Sequence, residues 1–370
     1  MLVFARIFGE IADPRARNRQ FDLVSILFIA FLAMLCGAKN CYEMEVFANS
    51  KRKLLIELLG FPNCSPSHDT FCRVFRFLDP VKFEAAFSLF SAAFATGLKG
   101  VVAIDGKAVR GAFEKGKKTA PLHLVNVWAV EARLAIAQRI APNRNEIRGA
   151  LEVLSLLSLD GCIVTADALY CRHDIAKAII DTGADYALVV KRNHPGLLSQ
   201  LIDTIDNSKK QDCFVTTSEK SHGRDETRKC TVVSTKNIAF PNTVAIAKVE
   251  AVRLGNDGKM KTLVRHYLLS KKIKAERMIE VSRSHWTIEN QLHWVLDVTL
   301  NEDAARNRKD HCAHNLATLR KIVLNTLRAS NDKASLTGKM KKAGWNDDFL
   351  KTLISHMVVT TLPMGDGYKM

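Results

Sequence analysis

The feature that most constrains this chain is a pair of short, wholly apolar runs, each ending in an aspartate. Val101–Ile104 leads into Asp105-Gly106, and Cys162–Ala166 leads into Asp167. Apolar runs this short, bounded by turn residues, read as strands buried on both faces. Between them lie two more strand-like stretches, Leu122–Val130 and Leu134–Ile140, and a helical one, Glu146–Leu157. A helix over Asp174–Thr182 and a strand over Tyr186–Val190 follow. Three strands, then helix, strand, helix and strand, predict an α/β fold: a mixed sheet with helices packed on it. Functional groups in open sheets gather at strand ends, where the core stops. If the two strands are neighbours, their aspartates cannot both stay ionised without a cation. Mg²⁺ answers that need, because it takes oxygen ligands and keeps positions for phosphate oxygens. Two such ions, about 3.5–4 Å apart, activate an attacking oxygen and stabilise a leaving one. The plainer reading of Asp105 is a turn or cap before Gly106.

The surrounding chain divides by pattern. Residues 1–95 read as a helical domain with helices over Leu23–Cys36, Glu43–Leu59 and Pro66–Leu78. The second and third are separated by Gly60-Phe61-Pro62-Asn63, and Ser65-Pro66 supplies a helix start with proline at its first position. Such a pair, displaying Ser67, His68, Arg73 and Arg76, fits either a DNA-reading helix-turn-helix or two ordinarily packed helices. Residues 96–195 form the first part of the core. Residues 196–271 alternate with period two, and Gly255-Asn256-Asp257-Gly258 marks a hairpin between Val244–Leu254 and Lys261–Leu269, so this segment reads as a β-rich insertion. Residues 272–330 return to helix, over Lys274–Val298 and Cys312–Arg328, and 331–370 form a basic tail.

Charge points to the partner. Lys and Arg total 54 against 38 Asp and Glu, a net charge of +16. That excess suits a polyanion, with nucleic acid ahead of an acidic membrane surface and plain solubility as the competing reading. It is spread along the chain, so any polyanion site must be assembled by folding. The most apolar stretch, Leu23–Cys36, is shorter than the roughly 20 residues that span a bilayer and reads as a core helix, so no membrane role is expected. Nine scattered cysteines without a Cys-x-x-Cys pair fit a reducing cytosol. Cys64, His68 and Cys72 recur every four residues, which fits one helix face better than a zinc site lacking a fourth ligand.

A third element carries chemistry. On the helix over 274–298, Ile288, Leu292 and Val295 form an apolar stripe, while His285, Glu289 and His293 line up on another face beside Trp286 and Trp294. A carboxylate between two histidines is unusual for a solvated face. A zinc site competes, although the His-Glu-x-x-His spacing is absent. The chain also lacks a Walker loop, a Gly-x-Ser-x-Gly elbow and a dinucleotide-binding glycine pattern.

Taken together, Ile104-Asp105-Gly106-Lys107-Ala108-Val109-Arg110-Gly111, Leu122-His123-Leu124-Val125, Asn145-Glu146-Ile147 and Val164-Thr165-Ala166-Asp167-Ala168 resemble the H-repeat-associated family of bacterial insertion-sequence transposases. Gly183-Ala184-Asp185-Tyr186 with Lys191, Gly223-Arg224 with Glu226 and Arg228, and the block His285–Asp297 with Glu302, Asp303 and Arg306 extend the match. The front, Asp13-Pro14-Arg15 and Pro66–Thr70, and the tail, Ala343-Gly344-Trp345, are similar too. The resemblance implies an RNase H-like core, an N-terminal helical associated domain and a β insertion before the last acidic helix. It implies Asp105, Asp167 and Glu289 as a catalytic, metal-binding triad for two Mg²⁺ or Mn²⁺ ions. The expected reaction is cleavage and joining of double-stranded DNA at transposon ends and target, by at least a homodimer, in the bacterial cytoplasm and on the nucleoid. Candidate DNA contacts are Lys107, Arg110, Lys191, Arg224, Arg228, Arg283, His285, Asn290 and Arg306. Trp286 and Trp294 are candidates for stacking on a base, with core packing expected for one of them. The chain departs from the family at Tyr170 and Arg172, where Gly and Gln are usual, and at Lys191-Arg192-Asn193-His194, where Lys-Gly-Asn-Gln is. It departs from the wider superfamily at His285 and Leu296, where Arg and Lys stand. Two other functions fit the same sequence: a catalytically inactive DNA-binding relic, and a metal-dependent nuclease that never joins strands.

Overall fold

A computed structural model describes residues 2–15, 19–60, 65–94, 97–112, 121–221, 224–254 and 260–355. The chain begins with six helices, α1 (Leu2–Phe8), α2 (Leu23–Leu35), α3 (Cys41–Ser50), α4 (Arg52–Leu59), α5 (His68–Phe77) and α6 (Pro80–Ala92). Asp22 caps α2 by accepting from the Ser25 N–H. Nearly every residue of α2 is buried, the signature of a helix inside the core. The helix expected over Glu43–Leu59 is broken at Lys51 into α3 and α4. α5 starts after the cap Ser67 rather than at Pro66. Asp79, with Pro80 at the first position, starts α6.

The sheet follows the order of the apolar runs. Strands β1 (Gly100–Val109), β2 (Leu122–Ala129) and β3 (Leu134–Ile140) form an antiparallel meander, and α7 (Glu146–Leu154) leads to β4 (Cys162–Ala166), parallel to β1. Helix α8 (His173–Asp181) leads to β5 (Asp185–Val190), parallel to β4. Residues 195–206 form a helix, α9 (Pro195–Asp206), inside the segment read as alternating strand. Its buried Leu201 and Ile205 lie four apart, a helical spacing. The remaining strands, β6 (Asp212–Ser221), β7 (Arg224–Ser234), β8 (Ala245–Leu254) and β9 (Met260–Leu269), are antiparallel. The turn at 255–258 lies outside the described residues, and the strands flanking it pair as expected. β9 pairs with β5, so the insertion prolongs the core sheet into nine strands in the order β3-β2-β1-β4-β5-β9-β8-β7-β6.

Helices cover both faces. Val102, Ile104, Val164 and Ala166 pack with Ala150 and Val153 of α7 and with Ile175 and Ile179 of α8. On the other face Ala103 and Trp128 share a core with the N-terminal helices and the C-terminal α12 (Cys312–Ala329), α13 (Leu336–Trp345) and α14 (Asp347–Ile354). Residues 336–354, read as tail, thus contribute Met340, Ala343, Leu350 and Leu353 to that core. Edge strand β3 is closed by Asn325 of α12, which accepts from the Ala135 N–H at 3.0 Å and donates to its carbonyl at 2.7 Å. Beneath lies a buried ion pair: Glu84 of α6 accepts from Arg139 of β3 at 2.5 Å and contacts His314 of α12 at 2.5 Å. Among the described residues no helix is long and apolar enough to cross a membrane.

Candidate active site

Asp105 is the sixth residue of β1, which runs on past it to Val109, so the strand does not stop at the aspartate as its apolar run does. What stops is the parallel neighbour. The β1–β4 register ends at Ile104↔Ala166, leaving Asp105 and Asp167 side by side where β4 gives out. Parallel strands lie about 4.8 Å apart, so the two carboxylates are forced into proximity. Strand β1 continues because its other edge stays paired with β2, through Val109↔Leu122.

Glu289 arrives from above the sheet on a disrupted helix. The continuous helix expected over 274–298 is α10 (Ala275–Ser284), a bend, a π-helical turn over Ile288–His293 and α11 (Trp294–Val298). Such π turns often mark functional sites, because the extra residue displaces side chains from the regular face. Ile288, Leu292 and Val295 are buried as the stripe predicts. The turn is pinned at both ends. Trp128 of β2 donates to Thr287 Oγ1 at 3.1 Å. Arg328 of α12, stacked 4.6 Å from the Trp128 ring centroid, donates to the Gln291 carbonyl.

Asp105, Asp167 and Glu289 line one cavity of about 100 Å³ with Lys191, Arg265 and His285. Burial pushes the Asp105 carboxyl up to about 7, helped by the charges of Glu146, Glu289 and Asp167. Burial raises Glu289 as well, with Asp167 adding to it. Asp167 behaves differently: burial pushes it up, yet the hydrogen bond and charge of Lys191 outweigh this and hold it below the usual range. Lys191 Nζ stands 2.6 Å from Asp167, with both side chains about half exposed. An ion pair that open contributes about 0–1 kcal/mol, so Lys191 is readily exchanged for another cation. His285 is depressed to about 4 by burial, and its Nδ1 has no hydrogen-bond partner among the described residues. His293 is depressed to about 3, also by burial, and its Nδ1 lies 3.7 Å from Asp105 Oδ2. Of the polar face predicted at His285, Glu289 and His293, the two histidines turn inward beside the aspartates, while Glu289 lines the cavity and stays exposed to solvent.

The other candidates scatter. Lys107, a predicted phosphate contact, is 7% exposed, with its ammonium 2.7 Å from Asp297, 3.2 Å from Glu302 and 3.3 Å from Asp303. It points away from solvent because β1 alternates its side chains, and position 107 faces the loop after α11. Arg228 is also largely buried and pairs with Glu226 at 2.8 Å. Arg224 lies on β7, and its side chain is outside the described residues. Arg110, Arg283, Asn290 and Arg306 are exposed. Trp286 and Trp294 are 42% and 58% exposed, so neither is a core residue as expected for one of them. Trp286 carries the Arg265 guanidinium 5.2 Å from its ring centroid. Cys64 lies outside the described residues; His68 sits 3.3 Å from Glu45, and Cys72 hydrogen-bonds to Cys41. In the possible helix-turn-helix, Ser67 serves as a cap, Arg76 pairs with Asp310 at 2.6 Å, and Arg73 is exposed.

Two residues at the site carried no signal of their own. Arg265 enters from β9, far along the chain from Asp105 and Asp167, through the β5–β9 pairing. Glu146, at the start of α7, stands closest in charge to Asp105, ahead of Glu289 and Asp167. Its only trace in the sequence is the Asn145-Glu146-Ile147 stretch.

All the ligand atoms offered by the triad are carboxylate oxygens, the donor set of a hard divalent cation. The cost of gathering them is visible in the raised Asp105 and Glu289. Among the described residues no three His, Cys, Asp or Glu side chains converge tightly enough to hold an ion as they stand. The donor chemistry fits, and Lys191 takes the cation's place at Asp167.

A meander of three antiparallel strands and two parallel strands joined through helices, with acids on the first strand, after the fourth and on a late helix, make up an RNase H-like core. Comparison with known proteins identifies it further: residues 96–326 match the transposase DDE domain and 5–91 the DDE-transposase-associated domain, and the chain belongs to this transposase family. It is 34% identical over 362 residues to YncI of Escherichia coli O157:H7, which carries a transposase name, covering 93% of this chain and 92% of that one. It is 30% identical over 363 residues to YhhI of Escherichia coli K12, an H repeat-associated protein also named as a transposase, covering 91% and 93%. A solved piggyBac transposase synaptic complex with hairpin DNA is similar at 12% identity and a TM-score of 0.45, over 98% of this chain and 82% of that one.

Proposed function

We propose that this chain cleaves and joins DNA at the ends of its own insertion sequence, with Asp105, Asp167 and Glu289 as the catalytic carboxylates. The observation that carries the reading is their meeting, from three separate elements, in one cavity rimmed by Lys191 and Arg265. Mg²⁺ or Mn²⁺ ions held by these three side chains would supply activation of the attacking oxygen and stabilisation of the leaving one. The protein's own tasks are positioning and charge stabilisation. β1 and the end of β4 fix the two aspartates on rigid backbone, and the pinned π turn fixes Glu289 against them. Lys191, released from Asp167, and Arg265 are placed to neutralise a phosphodiester. The neutral imidazoles of His285 and His293 bring no positive charge that would compete with cations for the carboxylates. Exposed Arg110, Arg283 and Arg306 extend a basic surface away from the cavity and, with the net charge of +16, make double-stranded DNA the partner. Asn290, Trp286 and Trp294 sit on or beside the same π turn, where an exposed ring can stack on an unpaired base.

The test is strand cleavage and joining on duplexes carrying the element's ends. Asp167→Asn and Glu289→Gln should abolish both while leaving DNA binding within about twofold and its steep salt dependence intact. Normal cleavage by either variant removes that residue from the catalytic role, and hydrolysed ends without joined products reduce the activity to that of a nuclease.

A further inference from the structure

Three sequence features explain one another around Asp105. Gly106 has an ordinary negative φ, so its glycine is not there for backbone freedom; a methyl group at this position would overlap the Glu146 carboxylate. The strand is therefore bare where that carboxylate lies, one residue from Asp105. Glu146 is the first residue of α7, held there by Asn145, whose side chain caps the helix by accepting from the Arg148 N–H. Its carboxylate is then held by one hydrogen bond, with a histidine ring close by. Tyr170 donates to Oε2 at 2.7 Å, and His123 Nε2 stands 2.8 Å from Oε1. Tyr170 belongs to the short helical turn directly after Asp167, so the residue that follows one acid of the triad orients a carboxylate beside another. The side chain of Glu146 is 20% exposed, and it stands beside the lining of the triad's cavity, not in it.

A carboxylate whose task was only to start a helix would have no need of a bare glycine under it and a tyrosine hydroxyl orienting one of its oxygens. We propose that Glu146 is a fourth carboxylate of the acidic centre, placed to hold a divalent cation together with Asp105. It approaches from α7, on the opposite face of the sheet from Glu289, through the gap at Gly106. Tyr170 is a positioning residue: its hydrogen bond restricts the carboxylate's orientation, as outer partners of metal ligands do.

The proposal rests on the metal-dependent reading of the triad, and the experiment separates the two. Calorimetric titration of Mn²⁺ into the full chain, without DNA, is carried out on the wild type and on Asp105→Asn, Glu146→Gln and Glu146→Asp. We expect binding by the wild type, its loss in Asp105→Asn, about tenfold weakening in Glu146→Gln, and an intermediate affinity in Glu146→Asp, which keeps the charge but draws it back by one methylene. No Mn²⁺ uptake by the wild type overturns both readings. Loss in Asp105→Asn with an unchanged Glu146→Gln overturns the Glu146 assignment alone. If circular dichroism finds Glu146→Gln unfolded, Glu146→Asp decides: wild-type affinity in that variant overturns the assignment, and weakening supports it.

Discussion

Removing the charge of Asp105 should make the metal-free protein more stable. The carboxyl ionises near 3.8 in an unfolded chain and at about 7 in the fold, with its side chain 22% exposed. Between those values the folded protein holds a proton that the unfolded chain has released, so stability falls as pH rises from about 4 to 7. Above that window the cost is complete. At 1.36 kcal/mol per tenfold it amounts to about 4 kcal/mol, and solvent access at the cavity mouth brings the expectation to about 2–4 kcal/mol. Asp105→Asn deletes this term. Urea unfolding in EDTA should find the variant close to wild type at pH 4 and more stable by that amount at pH 8. Added Mn²⁺ should stabilise the wild type by mass action and leave the variant behind. Asp167→Asn is the control: Lys191 holds Asp167 below its usual range, so no comparable gain is expected. A variant no more stable than wild type at pH 8, or a gain independent of pH, would refute the electrostatic account of the site.

Lys107→Met should destabilise the fold by about 2–3 kcal/mol in urea, because it removes the ammonium shared by Asp297 and the fully buried Glu302 and leaves Glu302 to Lys321 and Arg320. Lost DNA affinity with unchanged stability would instead return Lys107 to the phosphates. His285 and His293 titrate at about 4 and about 3 in the fold, so as pH drops below about 6.5 the unfolded chain gains protons that the folded one refuses, and stability falls. Replacing both with Gln should flatten the decline of Tm between pH 6.5 and 4, and an unchanged slope would argue against their burial as neutral imidazoles.

The acids were legible because each sits in a local pattern: an apolar run of strand length before Asp105 and before Asp167, and a helical stripe that fixes the face of Glu289. Leu134–Ile140 and Cys162–Ala166 match their strands residue for residue. Misreadings arose where local pattern and global pairing disagree. Lys107 lies two residues beyond an acid and looks like a phosphate ligand, yet strand alternation and the returning loop at Asp297–Asp303 bury it. Residues 196–271 do contain strands, but the helix Pro195–Asp206 lies within that span. The break of the last acidic helix into a π turn has no signature in its residue types, since the contacts that pin it come from Trp128 and Arg328, more than thirty residues away on either side.

By itself the sequence determined the core strands, the basic excess and the family, and it offered the three acids as candidates, all of them read from local spacing or composition. Only the tertiary structure decided which edge of the sheet receives the insertion, and hence that Arg265 of β9 faces the cavity. It alone decided that Lys191 rests on Asp167 and that Glu146 lies under Gly106. The physical reason is common to all three. A side chain's charge state and partners depend on what strand pairing and helix packing bring from distant parts of the chain, and residue periodicity reports only which face an element buries.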